Sequence, residues 1–287
     1  MSATLLSSPP YDVKNPYLAE IIVNRELMKG GDRHCMHVEV KIKDTPLSYQ
    51  TGDHLGIFPS NNSEEVKKLA ERLRIADLNQ LLTMTAVDRM ISLSSPKPRI
   101  LRAQLLSFFH FSFLFAASAP KKNPFPSPCS YLTALTHYID IQAIARTHIL
   151  KALLEYVTDP EEKERLSHLL TPAHKEDANK FLQGEGRNIL DVLNAFPSAF
   201  PPADLIFELL PRLQCRYYSI SSSPEAQPDV VTICATVANY VTHTGRHGSG
   251  VCTSWLFEMK NPERECPTLL LTSHPQKQHK TTHLLSF

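Results

Sequence analysis

The chain has 287 residues, and its 30 basic and 29 acidic side chains leave a formal net charge of +1. A chain of this length can bury one large hydrophobic core or two smaller ones. Because the charges are balanced, the chain lacks the excess of basic residues that is typical of nucleic-acid-binding proteins, so we expect no nucleic-acid partner.

The cysteine and histidine content narrows the class of protein further. Six widely spaced cysteines form no Cys-x-x-Cys pair, which fits a reducing compartment better than a disulfide framework. Thirteen histidines show no metal-ligand spacing, so we predict no metal site.

The apolar run at the start of the sequence is too short for a signal peptide or a membrane anchor, so we predict no membrane segment. A Walker loop, a zinc-protease motif and a nucleophile elbow are absent from the sequence.

Residues 16–61 predict β-strands. Residues 19–23 are extended and apolar, residues 34–42 alternate in part, and residues 49–59 close the segment. Arg33 stands at the entrance of the second of these strands. From the residues alone it is most simply a solvated turn residue.

A helical block follows. Ser63 is predicted to cap a helix with Glu64 and Glu65 in its first turn and an apolar face that includes Val66 and Leu69. Further helices are predicted at residues 141–157, after Asp159-Pro160, at residues 188–195 and at residues 203–210.

Residues 90–121 interrupt this block with the phenylalanine-rich run 105–115. A membrane span needs roughly 20 apolar residues, and this run is shorter and contains a histidine. We interpret the segment as translated non-coding sequence in a gene model or as a lineage-specific loop. The first is favoured, because such an apolar loop would expose an aggregation-prone surface.

Residues 216–220 predict a strand with an unusual side-chain set. Alternation places Arg216 and Tyr218 on one face, and Tyr217 and Ser219 on the other. A guanidinium beside an aromatic ring suits a ligand that carries a diphosphate and a flat ring. On its own, such a sequence more often forms an ordinary strand than a ligand-binding surface.

Residues 250–256 predict a glycine turn that opens a helix, with Thr253 or Ser254 near its cap. Backbone N–H groups at a helix start can bind phosphate. A glycine before a helix, however, often only ends the preceding segment and binds nothing.

Between the two motifs, residues 232–240 predict a strand in which Cys234 is most simply a small buried hydrophobe.

Taken together and in this order, the motifs resemble the FAD-binding module of the diflavin reductase family, which includes NADPH–cytochrome P450 reductase. The family motif Arg-x-Tyr-Ser matches Arg216, Tyr218 and Ser219, and Gly-Val-(Ala/Cys)-Thr matches residues 250–253. The string Tyr-x-x-Gly-Asp-His at residues 49–54 is also similar to the family.

The resemblance implies roles for these residues. Arg216 neutralises the FAD diphosphate, Tyr218 stacks on the flavin ring, and Ser219 is the catalytic residue near the hydride-accepting nitrogen. A family arginine that reaches the diphosphate falls at Gly186, with Arg187 beside it, so this contact is not predicted. The other residues that the resemblance assigns to cofactor binding are Tyr217, Cys234, Ala235, Thr236, Tyr240, Gly250, Val251, Cys252, Thr253 and, for NADP, Arg33.

The implied fold is α+β: an antiparallel flavin-binding β-barrel of the ferredoxin-reductase type, interrupted by a helical connecting domain. The predicted division is a first barrel part at 14–62, the connecting domain at 63–212 with the anomalous insertion at 90–121, a second barrel part at 213–260, and a non-family tail at 261–287 that does not look like a strand.

The implied function is electron transfer from NADPH through FAD towards FMN and haem. Cytochrome P450 and other haem proteins are the implied partners, on the cytoplasmic side of the endoplasmic reticulum. Because the family's FMN and NADP domains have no counterpart in the sequence, we expect the chain alone to be inactive and, if expressed as written, cytosolic. The alternative is a non-catalytic remnant or interaction module with weak or no flavin binding.

Overall fold

The computed structural model describes residues 16–82, 128–242, 245–259 and 268–274. The described residues group into two units, one from residues 16–76 and those after 134, and one from residues 77–82 and 128–134. The strands are β1 (Tyr17–Glu26), β2 (Cys35–Lys41), β3 (His54–Phe58), β4 (Leu81–Leu82), β5 (Cys129–Ser130), β6 (Arg216–Ser219), β7 (Val230–Thr236), β8 (Asn239–Val241), β9 (His247–Ser249) and β10 (Thr268–His274). The α-helices are α1 (Ser63–Arg72), α2 (Tyr131–Thr133), α3 (Thr147–Leu153), α4 (Pro160–Leu170), α5 (Lys175–Asn179), α6 (Ile189–Ala195), α7 (Ala203–Leu209) and α8 (Val251–Glu258).

The first unit is built on a six-stranded sheet in the order β6-β3-β10-β1-β2-β7. All of its neighbouring strands pair antiparallel, which confirms the predicted antiparallel sheet. The outermost strands β6 and β7 meet through one isolated bridge between Ile220 and Ile233. Among the described strands the sheet is therefore not a barrel closed by a continuous ladder.

The core of the sheet follows from strand alternation. In β2, Met36, Val38 and Val40 are fully buried, whereas His37 and Glu39 between them are half-buried and paired, with 2.7 Å between His37 Nε2 and Glu39 Oε1. The core also takes in Cys252 and Leu256 of helix α8, which packs against the sheet.

Two strand predictions need correction. Residues 232–240 do not form one strand, because β7 ends at Thr236 and β8 pairs with β9 as a separate hairpin. Residues 268–274 of the predicted tail form strand β10, which pairs with both β1 and β3. Its leucine run does not alternate, and periodicity alone does not distinguish a short apolar run of this kind from other structure.

Helix α1 is confirmed, but its cap is Asn62 rather than Ser63. Asn62 is extended, and its side chain accepts from the backbone N–H groups of Glu64 and Glu65 at 2.9 and 3.3 Å. Asparagine and serine are both favoured N-caps, so the residue types alone did not decide between neighbours.

The other predicted helices are confirmed, with one exception, whereas α2 and α5 were not predicted. Residues 141–157 were predicted as a single helix, but α3 begins only at Thr147 and ends at Leu153. Before it, the chain is anchored by a bond from the Ala145 N–H to the Arg187 carbonyl at 2.8 Å. Helix α6 begins with a complete capping box between Asn188 and Asp191.

In the second unit, β4 pairs antiparallel with β5, and α2 follows directly. The insertion predicted at residues 90–121 lies outside the described residues.

Candidate functional site

Strand β6 presents its four side chains in alternation. Arg216 and Tyr218 are half-buried, whereas Tyr217 and Ser219 are exposed, as the sequence predicted. The strand pairs with β3, so that Tyr218 lies opposite Leu55 and Ser219 opposite His54.

Arg216 is held by two partners at the start of this strand. Its Nη1 donates to the Gln214 carbonyl at 2.7 Å, and its Nη2 lies 3.5 Å from Oδ2 of Asp140. Asp140 is buried, at 7% exposure, whereas 39% of the Arg216 side chain is exposed. The pair fixes the direction of the guanidinium and leaves its exposed donors for a further acceptor.

Tyr218 packs against the core and contacts helix α8. Its hydroxyl lies beside the Cys252 thiol. Burial is the main reason why the Tyr218 pKa is raised well above its ordinary value, and burial also raises the pKa of Cys252 to about 11. Both groups therefore stay protonated at neutral pH, and the contact ties β6 to the first turn of α8.

Ser219 lies beside a histidine that the sequence did not single out as a site residue. Its Oγ is 3.4 Å from Nε2 of His54 on the neighbouring strand. The signal was present, because His54 ends the Tyr-x-x-Gly-Asp-His string. What the string could not show is the register that places the two side chains together.

The predicted residues of β7 alternate across the strand. Ala235 is buried, whereas Cys234 and Thr236 are exposed. The expectation that Cys234 is a buried hydrophobe is wrong, because strand alternation gives the inward positions to Ile233 and Ala235. All three predicted residues pair with β2, at Cys35, Met36 and His37.

The hairpin β8–β9 carries Tyr240, whose ring lies over Gly248. A Cβ at Gly248 would be 2.2 Å from the ring carbon Cζ of Tyr240. A Cβ at Gly186 would be 3.8 Å from the Tyr240 hydroxyl, so the ring spans from one glycine to the other. The Tyr240 side chain is half-exposed in this position.

Arg246 fastens the same hairpin to the start of α6 and was missed by the sequence analysis. Its Nη1 donates to the Glu185 carbonyl at 2.6 Å, and its Nη2 donates to the carboxylate of Asp191, the capping-box residue. No sequence motif links an arginine to a carboxylate 55 positions away.

Helix α8 begins at Val251 with Gly250 as its N-cap, so a glycine opens the helix as predicted, and Thr253 lies in its first turn. The Thr253 hydroxyl accepts from the Ala238 N–H at 3.1 Å and lies 3.4 Å from the Gly250 carbonyl. A Cβ at Gly250 would come within 2.9 Å of the Thr253 Oγ1. The close approach requires glycine here, and a glycine cap leaves the first-turn amides without a competing cap side chain.

A polar cleft of about 670 Å³ opens beside this helix start. Among the predicted site residues, Tyr240 and Val251 line it, together with Gly186 and with Gly248 of β9. Its other lining residues are Ser60, Asn62, Glu65, Lys68, Gln142, Asn188, Leu190, Asp191, Asn194, Gly245, Arg246, His247, Ser249, Ser254, Trp255 and Glu258.

The other predicted site residues do not line the cleft. Arg33 is exposed in the turn between β1 and β2. Arg187, beside the position where the family has its arginine, is turned to Phe181, with its guanidinium carbon 4.6 Å from that ring centroid. Arg216, Tyr218 and Ser219 form the neighbouring group on β6.

An antiparallel sheet with a polar cleft at a glycine-capped helix start is an arrangement that can accommodate a phosphate-containing cofactor. The family model described as the FAD binding domain matches residues 9–255. The chain therefore belongs to this FAD-binding family, whose cofactor is FAD.

The similar proteins include NADPH–cytochrome P450 reductases. The protein from Musca domestica is 44% identical over 256 residues, covering 88% of this chain and 34% of the relative. The proteins from Drosophila melanogaster and Homo sapiens are 43% and 39% identical, over 89% and 90% of this chain and 33% and 34% of theirs. The chain thus spans about a third of the length of these relatives. Within the described residues, no helix has the length and apolar character needed to cross a membrane.

Proposed function

We propose that this chain provides the FAD site of an NADPH-dependent haemoprotein reductase. The observation that carries the proposal is the cleft at the start of α8, where Val251 and Ser254 of the first helical turn line the wall and Tyr240 lies over Gly248. Membership of the FAD-binding family and similarity to the reductases over most of the chain support it.

The residues fit a dinucleotide that carries a diphosphate. The first turn of α8 offers backbone N–H groups and the positive end of the helix dipole. Lys68 and Arg246 also line the cleft, each paired with a carboxylate of the same lining, Glu65 and Asp191. In the proposed assignment, the Gly250–Thr253 turn and Arg216 hold the diphosphate, and Tyr240 packs beside the adenine.

The flavin ring is assigned to the group on β6. Tyr218 offers its ring face and Ser219 an exposed hydroxyl, which His54 orients from 3.4 Å away. The backbone of Cys234, Ala235 and Thr236 is assigned to the flavin edge, and Arg33 to NADP. When bound, FAD supplies acceptance of a hydride and release of electrons one at a time. The chain's own residues hold and orient the cofactor, and the buried Asp140 positions the Arg216 guanidinium.

The proposed whole protein is larger than this chain. We assign residues 14–62 and 213–260 to the two parts of a flavin-binding barrel and residues 63–212 to the connecting domain. NADPH as donor, FMN as relay and cytochrome P450 at the endoplasmic reticulum as acceptor are proposed for the assembled protein. This chain alone is proposed to bind FAD without sustaining electron transfer to cytochrome c.

The test is a fluorescence titration of the purified chain with FAD and with FMN. We expect tighter binding of FAD, because FMN lacks the diphosphate that the α8 turn serves. Arg216→Ala should weaken FAD binding by about 1.5–3 kcal/mol, the value of a charge-assisted hydrogen bond. Arg25→Ala, at an exposed arginine on β1, is the matched control and should bind as the parent chain does.

Two results would contradict the proposal. Equal or tighter binding of FMN would show that the α8 turn does not bind the FAD diphosphate. Folded protein that shows no flavin absorbance and no FAD binding would favour the alternative, a non-catalytic interaction module of the same fold.

A further inference from the structure

The segment that joins α4 to α5 brings two histidines and an aspartate together. His168 lies in the last turn of α4, His174 ends the 3₁₀ turn Pro172–His174, and Asp177 lies in the first turn of α5. The imidazole rings are stacked, with 3.7 Å between their centroids and 29° between their planes. Nδ1 of His174 is 3.1 Å from Oδ2 of Asp177.

Local hydrogen bonds fix the turn that creates this arrangement. The Thr171 N–H donates to the His168 carbonyl at 3.1 Å, and the His174 N–H donates to the Thr171 carbonyl at 2.9 Å. The Thr171 hydroxyl donates to the Ser167 carbonyl at 3.1 Å. The three side chains thus converge within ten consecutive residues, independently of the flavin site.

We propose that His168, His174 and Asp177 form a binding site for a divalent transition-metal ion of the Zn²⁺ type, with solvent in the remaining coordination position. One possible ligand atom from each residue lies within 4.8 Å of the other two. Zinc binds imidazole nitrogen and carboxylate oxygen at about 2.0–2.2 Å, so its tetrahedral ligand atoms stand roughly 3.3–3.6 Å apart. Because stacked imidazoles direct their in-plane lone pairs nearly parallel, metal binding requires the two rings to unstack by side-chain rotation and turn their nitrogens towards one point.

The chemistry of the three groups supports this class of ion. Two imidazoles and one carboxylate suit Zn²⁺, Ni²⁺ and Cu²⁺, whereas Mg²⁺ and Ca²⁺ prefer oxygen ligands alone. A cation is also favoured near His168 because the last turn of α4 carries the negative end of the helix dipole. His174 and Asp177 have side-chain exposures of 40% and 57%, so an ion can reach the site without opening the fold.

The sequence did not reveal this site because its residues have no recognised ligand spacing. The histidines are six positions apart and the aspartate follows three positions later. A continuous helix would not bring positions six apart to one face. The cluster exists only because the chain turns after Leu170.

The test is calorimetric titration of the chelator-treated full chain with Zn²⁺. Since the sequence contains thirteen histidines, the readout is the difference between variants rather than the total zinc bound. We expect a tightest-binding equivalent that the His168→Ala/His174→Ala double variant lacks. His174→Ala alone and Asp177→Asn should each weaken that equivalent at least tenfold. His148→Ala, at an exposed histidine in α3, is the matched control and should retain it.

A second readout identifies the ligands. The electron paramagnetic resonance spectrum of the chain with one equivalent of Cu²⁺ should show two coordinated nitrogens, and one fewer in His174→Ala. Circular dichroism checks that the variants fold. A double variant that titrates like the parent chain would overturn the proposal, as would a Cu²⁺ spectrum unchanged by His174→Ala. An unaltered affinity in Asp177→Asn would overturn the three-ligand assignment.

Discussion

Gly248→Ala should weaken FAD binding without unfolding the chain. The added Cβ would lie 2.2 Å from Cζ and 2.5 Å from Cε2 and the hydroxyl oxygen of Tyr240, and no real packing tolerates such distances. The Tyr240 ring is the far end of a side chain that is 51% exposed, so it can swing away at little cost. The variant therefore displaces the ring that is proposed to pack beside the adenine.

The magnitude follows from the interaction that is lost. Stacking of an aromatic side chain on a base contributes about 1–3 kcal/mol, so the FAD dissociation constant should rise by about 5- to 150-fold. Replacing glycine by alanine at a compatible backbone position stabilises a protein by about 0.4–1 kcal/mol, which opposes the lost ring contact. We therefore expect the unfolding free energy to stay within about 1 kcal/mol of the parent value.

A double-mutant cycle with Tyr240→Ala isolates the effect. In the Tyr240→Ala background no ring remains to be displaced, so Gly248→Ala should leave the FAD affinity unchanged and raise the unfolding free energy by about 0.4–1 kcal/mol. The assay is quenching of FAD fluorescence, with urea unfolding as the check on stability. If Gly248→Ala weakened FAD binding equally in both backgrounds, the displaced ring would not be the cause and the reasoning would fail.

Two further predictions concern the core. Tyr49→Phe should lower the unfolding free energy by about 1–3 kcal/mol, because it removes a buried hydroxyl that takes part in hydrogen bonds. The Tyr49 hydroxyl lies 2.9 Å from Ser222 Oγ and 3.2 and 3.0 Å from the carbonyl oxygens of Gln227 and Val230. A loss below about 0.5 kcal/mol in urea unfolding would contradict this prediction. Alkylation of Cys252 by iodoacetamide should be slow at pH 8 and accelerate as the pH rises towards 11, because a thiol with a pKa of about 11 is only about 0.1% thiolate at pH 8. Peptide mass spectrometry with the exposed Cys234 as internal control measures this, and equal labelling of both thiols at pH 8 would refute it.

The parts of the fold that sequence predicts well are those decided locally. The alternation of Arg216 to Ser219 and the helix after Asp159 both depend on neighbouring residues, and the structure confirms both. The cap of α1 was misplaced by one residue because Asn62 and Ser63 are both competent caps. The roles assigned to the flavin-site residues remain predictions.

Contacts between distant segments were not predictable from the sequence. His54 meets Ser219 across 165 positions, and Arg246 meets Asp191 across 55. Each contact depends on strand register or on how a hairpin packs against a helix, which periodicity does not encode. The resemblance to a family identified the motif residues, but it did not identify the residues that hold them in place.

The position of β10 in the sheet has a consequence for folding. Tyr17 of β1 pairs with Leu271 of β10, and β10 is the strand that joins the pair β3–β6 to the group β1–β2–β7. During synthesis the residues of both groups are made before those of β10, so the facing edges of β1 and β3 have no β10 to pair with until then. Strands that are so far apart in sequence pair slowly, and an unpaired strand edge can associate with other chains. Chaperone protection of a nascent chain is therefore most needed until residue 274 has emerged from the ribosome.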